Sequence, residues 1–151
     1  MSSEKSRLPE NQGAAHSTTP RQPECVTYRQ ISREANQILA ELGGYVDTVT
    51  GTGSESATFA DSIIRNAERL RILLRVSRVL IWTSLEEALW QDECRMEDIG
   101  LTMSSLFACS ALQAEMTEAT SRLPRPLQNL SERSRALFAR AERLRSLDQT
   151  R

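Results

Sequence analysis

From Phe59 to Asp98 the chain contains neither glycine nor proline, and apolar residues recur along it every three or four positions. Residues three and four apart share one face of a helix, so this pattern dictates one long helix. Ser56 or Thr58 is placed to cap it, with Asp61 near its positive end. The main apolar line runs through Ile63, Ala67, Leu70, Leu74, Ser77, Ile81, Leu85 and Ala88. A second line passes through Ile72, Val76, Val79 and Leu80. One partner helix cannot cover so broad a face. The helix is either central to a bundle or shared with another subunit.

Two further segments carry the same periodicity. Tyr28, Ile31, Ala35, Ile38, Leu42, Tyr45 and Val49 form the seam of a first helix, which Gly43-Gly44 should fray or stop before Asp47. Leu123-Pro-Arg-Pro126 is a helix start, and Leu127, Leu130, Ser134, Leu137, Ala141 and Leu144 carry a last helix to about Asp148. Between these lie a flexible turn over Gly51 to Ser56 and, after Gly100, a short helix within Leu101 to Glu118. The turn follows no strand and lacks a Walker lysine, so it reads as a linker and not a phosphate loop. Sustained apolar–polar alternation is absent, so no strand is expected. The fold expected is all-α, an antiparallel three-helix bundle with a long central helix over residues 27–148. Residues 1–26 read as a disordered tail, with Met1 and Leu8 the only large apolar residues before Val26.

At 151 residues the chain is one domain. Its 19 basic and 20 acidic residues leave a net charge of -1, which argues against a general nucleic-acid binder. No apolar run suffices to span a bilayer, and the N-terminus has no apolar core of a secretory signal. His16 is the only histidine and lies in the tail; Cys25, Cys94 and Cys109 lack metal-ligand spacing. No catalytic residue, metal site or cofactor is expected, and Cys94 and Cys109 read as inert thiols of a reducing cytoplasm.

The charges of the long helix are polarised. Arg65, Arg69, Arg71, Arg75 and Arg78 fill its first half, while Glu86, Glu87, Asp92, Glu93, Glu97 and Asp98 fill the second. The order opposes the helix dipole, so something else must stabilise it. Two copies crossing antiparallel would set basic against acidic halves in a homodimer, unless the charges are only a solvated face. In an antiparallel hairpin, Arg133, Arg135, Arg140, Arg143 and Arg145 of the last helix would join the start of the long one and make one arginine-rich end. Arginine forks suit carboxylates and phosphates, which makes that end a candidate docking surface. Trp82 and Trp90 read as anchors of the core or of a dimer contact.

The segments RILLRVSRVLIWTSLEEALWQDECRMEDIG, from Arg71, and LPRPLQNLSERSRALFARAERLRSLD, from Leu123, carry a resemblance. Arg71 and Arg75 stand four apart, with Trp82 seven further on, Ala88 six beyond that and Glu93 five beyond again. Together with Leu123, Pro124, Pro126 and Leu127, the Arg-rich helix closing at Leu144 to Asp148, and Gly44-Tyr45-Val46-Asp47, this order resembles the family of the regulator of CtrA degradation. Members of that family are alphaproteobacterial adaptors for the ClpXP protease. The likeness covers roughly residues 31–98 and 123–148; Leu101 to Ser121 has no counterpart, and Ile81 and Asp92 stand where the family has Ser and Gly. The resemblance implies a three-helix bundle acting as a homodimer in the cytoplasm, at a cell pole. Its implied partners are ClpXP, a response regulator, a cyclic-di-GMP-binding adaptor and the regulators delivered for proteolysis. Candidate docking residues are Arg71, Arg75, Glu93, Arg140 and Arg143. The expected function is thus a non-catalytic adaptor of regulated proteolysis. The alternative is a small DNA-binding or scaffold protein using its arginines, against which stand the net charge and the want of a helix-turn-helix signature.

Overall fold

The computed structural model describes residues 22–51, 58–109 and 122–148. Among the described residues four helices follow in order: α1 Gln22–Gly51, α2 Phe59–Trp90, α3 Met96–Leu106 and α4 Arg125–Asp148. No strand occurs among the described residues, and the chain is all-α. Residues 1–21, most of the turn after Gly51 and the later part of the expected 101–118 helix lie outside the described residues.

Helix boundaries depart from the sequence expectation where local chemistry was ambiguous. α1 starts at Gln22, ahead of Thr27, with Pro23 in its first turn, where a missing N–H costs nothing. It continues through Gly43-Gly44 because Leu42 is buried and the Tyr45 ring stacks with Arg69 of α2, so tertiary packing outweighs the glycine penalty. α2 opens on a reciprocal cap. The Thr58 hydroxyl accepts from the Asp61 N–H at 3.2 Å, and the Asp61 carboxylate accepts from the Thr58 N–H at 3.3 Å.

α2 ends at Trp90 and not at Asp98. Glu93 N–H donates to Ala88 O at 2.9 Å, Asp92 N–H donates to Leu89 O at 3.3 Å, and Asp92 holds φ 56°. That is a Schellman ending with aspartate in the left-handed position usually given to glycine. The next helix, α3, starts at Met96 and runs straight through Gly100, the break that the sequence pattern predicts.

Pair contacts fix the directions of the long helices. Glu41 meets Arg133 and Glu34 meets Arg140, so α4 runs antiparallel to α1. Tyr28 meets Trp82 and Trp90 while Tyr45 meets Arg69, so α2 also runs antiparallel to α1. α4 consequently points the same way as α2, with Ser131 beside Glu68 and Ser134 beside Arg75. The expected hairpin of these two helices is corrected. Ser134 lies beside Arg75, so Arg133 and Arg135 are level with the arginine half of α2 while Arg145 lies over Phe107; the arginines are strung along the bundle and not gathered at one end.

The three seams meet in one core. Ile31, Ala35, Ile38 and Leu42 come from α1; Leu127, Leu130, Leu137, Phe138 and Ala141 come from α4. From α2, however, it is Ile72, Val76, Val79 and Trp82 that are buried. The expected main line faces outward instead: Ile63, Leu70, Leu74 and Ile81 are 53%, 59%, 48% and 46% exposed. Periodicity detects two apolar faces but not which of them meets the core, because Glu68, Arg75 and Glu86 dilute the face that is buried.

Trp82 is completely buried, 5.2 Å edge-on from Tyr28 and 6.0 Å from Phe107, which in turn lies 5.0 Å from Phe138. Its indole N–H donates to Glu86 at 3.1 Å. This aromatic layer joins α1, α2, α4 and the turn that ends α3. Trp82→Ala should cost about 3–5 kcal/mol in urea unfolding; a cost below about 1 kcal/mol would show that the layer is dispensable.

Candidate functional site

Three features distinguish the molecule chemically: a charged cluster inside it, an apolar stripe outside it, and a groove at one end. The cluster begins with Arg75 and Glu68, both 2% exposed and both on the inner face of α2. Arg75 donates to Glu68 at 3.3 Å and to the Ser134 hydroxyl at 3.4 Å. Ser131 donates to the same Glu68 oxygen at 2.6 Å, and Arg71 reaches the other oxygen from the surface at 3.1 Å. Burial alone would raise the Glu68 carboxyl. Hydrogen bonds from Ser131 and Arg71, with the charge of Arg75, outweigh it and hold the group below the ordinary glutamate value. Ser131 and Ser134 of α4 thus complete a charged pair on α2, and the cluster is a structural lock between the two helices.

The candidate docking residues separate accordingly. Arg75 is enclosed and offers nothing to a partner. Arg71 is exposed at its rim but bonded to Glu68. Arg140 pairs with Glu34 at 2.6 Å across the α1–α4 contact. Arg143 and Glu93 are exposed, and the backbone of Glu93 belongs to the Schellman ending of α2. Neighbouring arginines are also engaged: Arg78 donates to Leu106 O at 3.0 Å, and Arg145 lies 5.3 Å over the Phe107 ring. The dipole conflict is thus eased but not removed, since Arg65 and Arg69 lie early in α2 and Glu87 stands in its last turn. The arginines work within the protomer, and Glu97 and Asp98 fall in the first turn of α3, where a helix favours acid. The electrostatic argument for pairing two copies weakens with it.

The stripe is the outward face of α2. At 100° per residue, Leu70 and Leu74 sit nearly opposite Ile72 and Val76, their neighbours two positions on. Leu73, Ala67 and Ser77 widen it. No described helix covers it.

The groove lies between the start of α1 and the end of α2, with a volume of about 400 Å³. Tyr28 and Trp90 line it, with ring centroids 6.3 Å apart, and Trp90 is 37% exposed. Of the two expected anchors, then, Trp82 sits in the core and Trp90 at a surface groove. Sequence reasoning did not find the groove, since Tyr28 and Trp90 are far apart in the chain; it also passed over Glu68, whose spacing to Arg71 and Arg75 was the available signal.

Cys94 and Cys109 are half-buried free thiols. Among the described residues no group of His, Cys, Asp and Glu converges as metal ligands would, and no helix is long and apolar enough to cross a membrane. No protein-family model, curated protein or solved structure matches the chain.

Glu68 titrates below its unfolded value of about 4.3, so its contribution is present at neutral pH and is lost as pH falls below that value. Glu68→Gln strands the Arg75 charge and should cost about 3–5 kcal/mol at pH 7. The gap to wild type should narrow in urea titrations repeated below pH 4.3; a gap independent of pH would exclude an ionised Glu68.

Proposed function

We propose that the protein is a non-catalytic adaptor that promotes regulated proteolysis of cell-cycle regulators by ClpXP through protein–protein contacts, acting in the cytoplasm at a cell pole. The observation that carries this reading is the exposed apolar stripe Ile63, Leu70, Leu74 and Ile81, since contiguous apolar surface of this kind marks an interaction face. The resemblance of the Arg71–Glu93 and Leu123–Asp148 segments to the regulator of CtrA degradation family supplies the partners: the protease, a response regulator, a cyclic-di-GMP-binding adaptor and the delivered substrates. An adaptor works by holding a substrate near the protease, which raises its effective concentration without chemistry of its own.

In this reading α1, α2 and α4 form a three-helix bundle, and two bundles pair through the stripe. Two copies of α2 crossing antiparallel about a point between Arg75 and Val76 set Leu70 against Ile81, Leu74 against Ser77 and Ile63 against Ala88. Large residues meet small ones at two of these three contacts, the condition for close helix packing. The contact is apolar, so salt should barely weaken it. Arg143 and Glu93 stay exposed for other partners.

Leu70→Glu with Leu74→Glu should convert a dimer to a monomer in sedimentation at tens of micromolar with helicity unchanged, because both side chains are about half exposed. A monomeric wild type at that concentration retires the dimer. For the adaptor itself, the assay is degradation of candidate regulators by reconstituted ClpXP, with and without this protein. Acceleration supports the reading; no acceleration of any candidate, with tight DNA binding at stated salt, would favour the DNA-binding alternative.

A further inference from the structure

We propose that the groove between α1 and α2 is a peptide-docking site for a segment carrying one aromatic side chain flanked by carboxylates. The proposal rests on the interaction-module reading and names the chemistry of one of its partners. Its floor is aromatic: Trp90 and Tyr28 stand edge to face, and Tyr28 is braced from below by the buried Trp82 at 5.2 Å. A volume of about 400 Å³ accepts one large side chain with adjoining backbone and is small for a folded element. Tryptophan, tyrosine and arginine are also the residues in which binding energy concentrates at interfaces.

The rim selects the flanking charge. Arg29 and Arg33 lie one helical turn apart on α1 and both border the groove. The only carboxylate on the lining is Glu87, 4.0 Å from Arg29, and both of these side chains are more than half exposed, so their attraction is weak. Two guanidinium groups against one carboxylate leave one positive charge over, and Arg33 is exposed with no ion pair to a described acid. Ser32, Ser84 and Gln91 provide hydrogen-bonding groups around it for a peptide backbone. The site lies on the α1 flank of α2, away from Leu70 and Leu74.

The test uses intrinsic fluorescence, because the chain has two tryptophans, one buried and one in the groove. The probe is a synthetic peptide with a single phenylalanine between aspartate pairs in a glycine–serine background. It should shift the emission saturably, and Trp90→Phe should abolish the shift. A peptide with lysines for aspartates should bind more weakly. Arg33→Glu should weaken the acidic peptide about fivefold and reverse the preference between the two. Leu70→Glu with Leu74→Glu should leave binding unchanged. No saturable binding, equal affinity for both peptides, or loss through the stripe variant overturns the proposal. Peptide binding without accelerated proteolysis would sink only the adaptor reading, and accelerated proteolysis without peptide binding would sink only the groove.

Discussion

Arg75 enters the interior with its charge, and two helices have to be arranged around that fact. Its partner Glu68 lies two turns back on the same helix, so the pair itself spans nothing. What joins α2 to α4 is the completion of the pair by Ser131 and Ser134. Serine is small enough to let the helices close over a guanidinium and polar enough to satisfy it. Sliding α4 by one turn would bring Leu130 or Phe138 to the place of Ser134 and leave the cluster short of hydroxyls. Apolar residues of the same volume could match the stability of such a pair, but they would not penalise the wrong register in this way. The register of α2 against α4 is therefore written into four side chains.

The same reasoning explains the near-exclusive use of arginine, with Lys5 the only lysine. A guanidinium can bond, stack and reach at once, and here it does each. Arg71 and Arg75 share Glu68, Arg78 closes the end of α3, and Arg69 and Arg145 cover aromatic rings. Arg133 and Arg140 tie α4 to α1. Much of what looks on paper like a basic docking surface is internal fastening.

How much of this was legible in the sequence follows from which signals are local. The α1 and α4 seams were, because each helix has one apolar face and polar residues elsewhere: Ile31 to Leu42 and Leu127 to Ala141 lie in the core as spaced. The Thr58 cap was legible for the same reason. The inward face of α2 was not, since both its faces are apolar and the buried one also holds Glu68 and Arg75. The end of α2 was hidden because Asp92 takes a conformation that sequence reading assigns to glycine, while the real glycine at 100 sits inside a helix. The groove depends on residues from two helices and could appear only once their direction was known.

α2 thus divides its circumference by function of chemistry and not by hydrophobicity alone. The inner face spends polar groups on register, and the outer face keeps leucine and isoleucine in contact with solvent. A monomer gains nothing from leucines outside, since polar residues there would raise solubility and disfavour aggregation. An apolar outer face beside a polar-laced inner one makes sense when the outer face also has a partner. The flank toward α1 is a third surface, mixed in character, where Thr83, Glu87 and Trp90 border the groove. Ser84 lies between this flank and the stripe, and it is small. On the proposed reading, self-association would use the stripe and client recognition the groove, two different surfaces of a single helix, as an adaptor that must hold two things at once requires.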